Sequence, residues 1–85
     1  MPVVLRRDGF RFFFYSNEGD PLEPPHVHVR SSDAEAKFWL EAEVTLARND
    51  GFDAKTLRRL ARITKENRKL LEAAWHEHFA PDSPL

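Results

Sequence analysis

The pattern of apolar and polar positions gives the N-terminal part of the chain a period of two and the C-terminal part a helical period. Strict alternation is clearest in the stretch His26-Val27-His28-Val29-Arg30, which directly follows Pro24-Pro25. The two prolines restrict the backbone before this stretch to an extended conformation. We therefore predict a strand in which His26, His28 and Arg30 share an open outer face, while the two valines point into a core.

Further strands flank this one on both sides. Asp8-Gly9 is a strong two-residue hairpin signal between the apolar segments 3–7 and 10–15. Residues 35–40 alternate again, and 44–46 give a weaker strand signal that is followed by turn formers at 49–51. If the strands pair as a meander, eight residues share the outer face: Arg11, Tyr15, His26, His28, Arg30, Glu35, Lys37 and Trp39. Phe13 also alternates toward that face.

The period changes at Asp53, a residue that favours the N-cap of a helix. No helix breaker follows before Pro81, so the pattern predicts one long amphipathic helix over residues 52–80. Whether this helix contains a break is left open. A tail is predicted over 81–85. The sequence thus predicts an α+β domain in which a small, mainly antiparallel sheet of three to four strands, within residues 1–47, packs on a long C-terminal helix. Six cations lie opposite the helix's apolar stripe: Lys55, Arg58, Arg59, Arg62, Lys65 and Lys69.

Length and charge narrow the class of protein. The 85 residues suit one domain, and 13 basic against 14 acidic residues give a net charge of −1, which selects no partner. Since the chain has no cysteine, disulfide and thiolate chemistry are excluded. Arg6 and Arg7 interrupt the N-terminal apolar residues, and no apolar run approaches the roughly 20 residues of a membrane helix. We expect a soluble cytoplasmic protein without a signal peptide or a membrane partner.

The histidine pair is the first candidate site. Residues two apart on a strand stand roughly 6.5 to 7 Å apart on one face. The pair is therefore suited to acid–base chemistry, with Arg30 and Lys37 contacting a phosphate and Glu35 orienting a histidine. A divalent metal held by His26, His28 and Glu35 is a weaker alternative, and exposed strand histidines that only bond to their neighbours are the third. We expect no metal and no cofactor.

A second histidine cluster, His76-Glu77-His78, lies in the predicted helix. Helix positions two apart are rotated by about 200°, which argues against joint metal ligation. His78 falls on the apolar stripe beside Trp75, so we predict a buried, hydrogen-bonded side chain there.

The six helix cations form the third candidate. Such a stripe could hold a nucleic-acid backbone, dock an acidic partner protein or simply be solvated. On the sheet, Arg11, Tyr15 and Trp39 are candidate binding residues, because aromatic rings beside cations suit base stacking or a protein anchor. The loop over 16–25 is rich in turn formers, and loops of that length are often functional.

Four blocks of the chain together resemble a known bacterial family. They are Phe12 to Glu18, Pro24 to Val29, Ala36 to Leu40 and Ala74 to Glu77. The family is the domain-of-unknown-function family numbered 4160, DUF4160. The resemblance implies a small protein that is often encoded beside another small domain, in type II toxin–antitoxin-like pairs. It implies no catalytic residues. Asp53-Ala54 departs from the Ser-Pro usual there, but both pairs can begin a helix.

Two functional classes follow. The first is a member of such a pair that acts on or binds RNA through the His26, His28 and Arg30 face, with ribonuclease-like phosphodiester chemistry if it is an enzyme. The alternative is a non-catalytic module that docks an acidic partner through the basic helix face. In both classes we expect a partner protein encoded nearby, and a homodimer stays open.

Overall fold

The computed structural model describes residues 3–16 and 23–79, in which five antiparallel strands form one sheet. The predicted tail over 81–85 and residues 17–22 of the predicted loop lie outside this described part. The strands follow one another in the sheet in chain order and two helices come after them, so the predicted α+β class is confirmed, with five strands rather than three to four. The elements are β1 Val3–Arg7, β2 Phe10–Phe13, β3 His26–Ser31, β4 Ala34–Trp39, β5 Thr45–Asp50, α1 Ala54–Glu66 and α2 Arg68–Phe79.

The predicted hairpin at Asp8-Gly9 is confirmed. Both residues have positive φ, +54° and +85°, as in the two-residue turns whose twist matches that of a sheet. Because the loop has two residues, it sets Arg7 opposite Phe10 and Arg6 opposite Arg11.

The fifth strand is longer than the segment 44–46 predicted, and it takes in most of the predicted turn at 49–51. β5 pairs with β4 from Trp39↔Thr45 to Glu35↔Asp50, with a register shift between Lys37 and Phe38. This irregularity breaks the alternation, and an edge strand with mostly exposed side chains carries a weak apolar pattern. The chain turns after β5, where the Asn49 side chain bonds to the backbone of Phe52 through both its amide nitrogen and its oxygen.

The C-terminal part is two helices, so the long helix predicted over 52–80 contains the break that the prediction left open. The break lies at Asn67, whose backbone N–H is shared between the carbonyls of Ile63 and Thr64. Its side-chain amide also donates to the Ile63 carbonyl at 2.8 Å, which is the local competition that ends helices at asparagine. The predicted N-cap is confirmed, since Asp53 accepts a bond from the Thr56 N–H at 2.8 Å.

The core lies between the inner face of the sheet and the two helices. Apolar side chains of β2, β3 and β4 pack against Leu60 of α1 and Leu71 and Trp75 of α2, which are all buried. The buried line of α2 continues to the partly buried Phe79, four residues after Trp75, and turns His78 outward. The predicted burial of His78 is therefore wrong. No helix in residues 3–16 and 23–79 is long and apolar enough to cross a membrane.

Candidate functional site

The register of the sheet gathers the predicted outer-face residues on one surface. His26 lies opposite Trp39, His28 opposite Lys37, and Arg30 opposite Glu35. On the other side of β3, Arg11 lies opposite Arg30 and Phe13 opposite His28. The face holds a groove of about 730 Å³ that is lined by cations, carboxylates, Tyr15 and Trp39.

Both histidines are buried, so the prediction that they lie on an open surface is wrong. His26 is fully buried, and its ring centroid lies 4.6 Å from that of Trp75 and 5.5 Å from that of Trp39. His28 is 7% exposed between Phe13 and Tyr15, with ring distances of 5.5 Å and 4.6 Å. Aromatic neighbours that are remote in sequence cover positions that the alternation alone leaves open.

The His26 ring also connects the sheet to the segment before it. Its Nδ1 lies 2.9 Å from the Pro24 carbonyl oxygen and 3.9 Å from a carboxylate oxygen of Glu23. Nδ1 therefore carries the proton that this carbonyl accepts. Since the ring is enclosed, His26 packs as an interior side chain and does not meet a ligand on the outer face in this conformation.

Glu35 connects three other residues of the site. The Tyr15 hydroxyl lies 3.0 and 2.9 Å from its two carboxylate oxygens and donates to them. The Nδ1 atom of His28 lies 3.5 Å from one oxygen, and Nε of Arg30 lies 3.7 Å from the other. A carboxylate with two cation-capable neighbours and a phenol donor is well placed to fix the Tyr15 ring at the side of the groove.

Lys37 and Trp39 form the far side of the groove. The Lys37 ammonium lies 3.3 Å from the Glu23 carboxylate and 4.4 Å from the centroid of the Trp39 ring. The ion pair and the cation–π contact both use this ammonium, which leaves it a weaker candidate for a phosphate ligand.

The metal alternative gains no support from the geometry. Within the described ranges, no group of three or more His, Asp or Glu side chains is arranged to hold a metal ion. His26, His28 and Glu35 lie on adjacent strands, but the Nδ1 atoms of both histidines face the oxygen atoms already named.

The predicted cations of α1 are all exposed. Arg59 pairs with Asp8 at 3.0 Å, which ties the β1–β2 turn to the helix. The others have no carboxylate within 4.0 Å in the described part of the chain, and we call the whole set the basic face of α1: Lys55, Arg58, Arg59, Arg62 and Lys65. Lys69, the sixth predicted cation, is exposed on α2. Arg68 does not belong to this set, because it pairs with Glu72 at 2.8 Å.

Sequence reasoning missed Arg6 as a member of the outer face. The two-residue turn at Asp8-Gly9 sets Arg6 opposite Arg11, and β2 sets Arg11 opposite Arg30. The signal was present in the hairpin dipeptide, since a loop of known length fixes which residues of its strands are paired.

Comparison with known proteins gives one match. The sequence model of a family described as "Domain of unknown function (DUF4160)" matches residues 9–76, well over half of the chain. No curated protein and no solved structure matches it.

Proposed function

The chain belongs to the DUF4160 family, and we propose that it is a non-catalytic interaction module that docks an acidic partner protein through the basic face of α1. One observation carries this proposal. Four cations of that face are exposed and have no carboxylate within 4.0 Å in the described residues: Lys55, Arg58, Arg62 and Lys65.

The spacing of these cations suits a protein surface. They recur about once per turn over ten residues, roughly 15 Å at 1.5 Å per residue, so they form a straight ladder of charge. An acidic helix offers carboxylates with the same period. A concavity of about 610 Å³ runs along the ladder between Lys55 and Arg62.

A further feature favours a protein over a nucleic acid on this face. α1 contains no aromatic residue, and therefore offers no platform on which a base could stack.

The burial of the histidines favours this docking function over ribonuclease-like chemistry. A general acid must come within hydrogen-bond reach of the substrate, and His26 is enclosed by Trp39 and Trp75. Catalysis by the pair would require α2 to move away from β3.

The proposed partner is the small protein encoded beside this one, because members of the family that the chain resembles are often encoded in such pairs. In a type II toxin–antitoxin-like arrangement, one protein of the pair binds and neutralises the other. The proposal requires that the partner present an acidic surface.

A binding measurement with two charge-reversed variants tests the proposal. Arg58→Glu/Arg62→Glu reverses two cations of α1, and Arg6→Glu/Arg11→Glu reverses two exposed arginines of the sheet, so both variants change the net charge by the same amount. We expect the helix variant to weaken binding of the neighbouring gene's product at least tenfold, with the sheet variant within about threefold of wild type. Equal loss in both variants, or no binding by the wild type, would contradict the proposal.

A further inference from the structure

Five charged residues form one row across the outer face of the sheet. Arg6 lies opposite Arg11 and Arg11 opposite Arg30, so three arginines occupy neighbouring positions on β1, β2 and β3. The row continues through Glu35 on β4 to Asp50 on β5. Directly opposed residues have Cα atoms about 4.5 to 5.5 Å apart. The row is therefore positive on β1, β2 and β3 and negative on β4 and β5.

Contacts among the described residues do not account for two arginines of this row. Arg30 lies 3.7 Å from Glu35, whereas neither Arg6 nor Arg11 forms an ion pair or side-chain hydrogen bond with any described residue. All three side chains are exposed. Like charges directly opposite one another destabilise a sheet, so a bound anion would stabilise this row.

The surroundings of the row suit phosphate groups. Arg6 and Arg11 line a concavity of about 400 Å³ together with Ser31 and Ser32, whose hydroxyls are further donors. The planar guanidinium group has the fork geometry that binds phosphate through two hydrogen bonds. Arg30, the arginine of the row that lies on β3, lines the groove that contains Tyr15.

We propose that the arginine row binds the phosphate backbone of a single-stranded nucleic acid that crosses the strands of the sheet, with RNA as the form that the sequence predicts. Successive phosphates meet Arg6, Arg11 and Arg30, and the bases turn toward the groove. Tyr15 and Trp39 are half-buried and line this groove, and these two aromatic residues are the proposed contacts of the bases.

On β4 and β5 the row continues with the carboxylates of Glu35 and Asp50, which pair with Arg30 and Arg48, so the proposed phosphate contacts end at Arg30. A single strand fits better than a duplex, because unpaired bases are needed to reach the rings in the groove. This inference uses a surface that the proposed docking through α1 does not use.

Fluorescence anisotropy with a labelled 12-nucleotide RNA tests the row. The variant Arg6→Gln/Arg11→Gln removes two proposed phosphate contacts, and the matched control Arg58→Gln/Arg62→Gln removes two exposed arginines of α1. We expect the row variant to bind at least tenfold more weakly at 50 mM salt. Its slope of log affinity against log salt should be shallower by about 1.4, at roughly 0.7 per lost contact. The control should stay within about twofold of wild type.

Several results would overturn the inference: wild type that binds no RNA below about 100 μM, equal loss in the two variants, loss only in the α1 variant, or duplex bound as tightly as single strand. Displacement of the RNA by low millimolar inorganic phosphate would reassign the row to small anions and also overturn it. A melting temperature no lower than that of the wild type shows that the row variant is folded. Measuring the neighbouring gene's product on the same variants separates the two proposals, because each depends on a different pair of arginines.

Discussion

At the residue scale, Glu35 is the carboxylate that connects neighbouring side chains of the outer face. Its two carboxylate oxygens share the hydrogen of the Tyr15 hydroxyl, and it lies within 4 Å of His28 and Arg30, while only 24% of its side chain is exposed. A hydrogen bond to a charged group in such a partly buried place contributes more than a neutral one, typically about 1.5 to 3 kcal/mol.

A double-mutant cycle measures this contact. We expect Tyr15→Phe and Glu35→Ala each to lower the free energy of unfolding, with a coupling energy of about 1 to 2 kcal/mol between them in urea denaturation. Tyr15→Phe keeps the ring that packs on Phe13 and His28, so the cycle isolates the hydroxyl. Additive effects within about 0.3 kcal/mol would show that the contact does not form in solution.

His26 behaves in this account as an interior side chain. His26→Ala should lower the free energy of unfolding by roughly 2 to 4 kcal/mol, because it leaves a cavity against Trp75 and removes the bond to Pro24. His76 is exposed on α2, so His76→Ala is the matched control and should change stability by less than about 0.5 kcal/mol. Similar small effects for both would mean that His26 is accessible after all.

At the element scale, the N-cap residue Asp53 makes the stabilising effect of the start of α1 depend on pH. Hydrogen bonds from the Thr56 side chain, and then from its backbone N–H, hold the pKa of Asp53 below its ordinary value of 3.8. A carboxylate with a lowered pKa in the folded state stabilises the fold above the unfolded pKa, and this contribution is lost as the pH falls through the folded pKa.

The cap therefore predicts a pH-dependent mutant. Asp53→Ala should be less stable than wild type at pH 7, and the gap should narrow as the pH falls below about 3.8. Asp53→Asn is the control, since asparagine caps a helix without titrating. Urea midpoints at pH 7 and at pH 3 measure the gap, and a gap that widens in acid would contradict the assignment.

The two described turn glycines differ in what surrounds them. A Cβ at Gly9 would meet nothing within 4 Å, whereas at Gly51 it would lie 3.1 Å from the Ala34 Cβ. Both have positive φ, +85° and +108°. We expect Gly9→Ala to cost about 1 kcal/mol from backbone strain alone and Gly51→Ala at least about 2 kcal/mol. Thermal unfolding of the two variants compares them, and equal costs would contradict the close approach of β4 to this turn.

Elements with a strong local signal could be predicted from the sequence. The hairpin at Asp8-Gly9, the alternation of β3 and the cap at Asp53 each depend on a few neighbouring residues, and the structure has all three. β5 and the break at Asn67 could not be predicted as confidently, because each depends on contacts that override a local preference. A register shift displaces the alternation of β5, and a side-chain bond to the Ile63 carbonyl interrupts an otherwise helical sequence.

The candidate site, too, could be predicted only in part, because it depends on contacts between residues that are remote in sequence. Alternation placed His26 and His28 on the correct face, but the burial of His26 depends on Trp75, which is almost 50 residues away, and that of His28 on Phe13 and Tyr15 of the preceding strand region. The arginine row likewise joins residues of three strands, and it becomes visible only once the pairing of those strands is known.

At the scale of the whole molecule, a net charge of −1 conceals two separate basic surfaces. One is the basic face of α1, and the other is the row of Arg6, Arg11 and Arg30 on the outer sheet face. Since the helices cover the inner face of the sheet, these surfaces lie on opposite sides of the fold, joined at the turn where Asp8 pairs with Arg59. Under the two proposals above, a partner protein and a nucleic-acid strand would therefore bind without competing.

The most direct test of the central claim is an amide chemical-shift map. The ¹⁵N-labelled chain is titrated with unlabelled product of the neighbouring gene, and the shifted amides are placed on the fold. We expect the largest changes over residues 55–65, with those of Arg6, Arg11 and Arg30 unchanged. Changes concentrated on the outer sheet face, with α1 silent, would contradict docking through the basic face of α1.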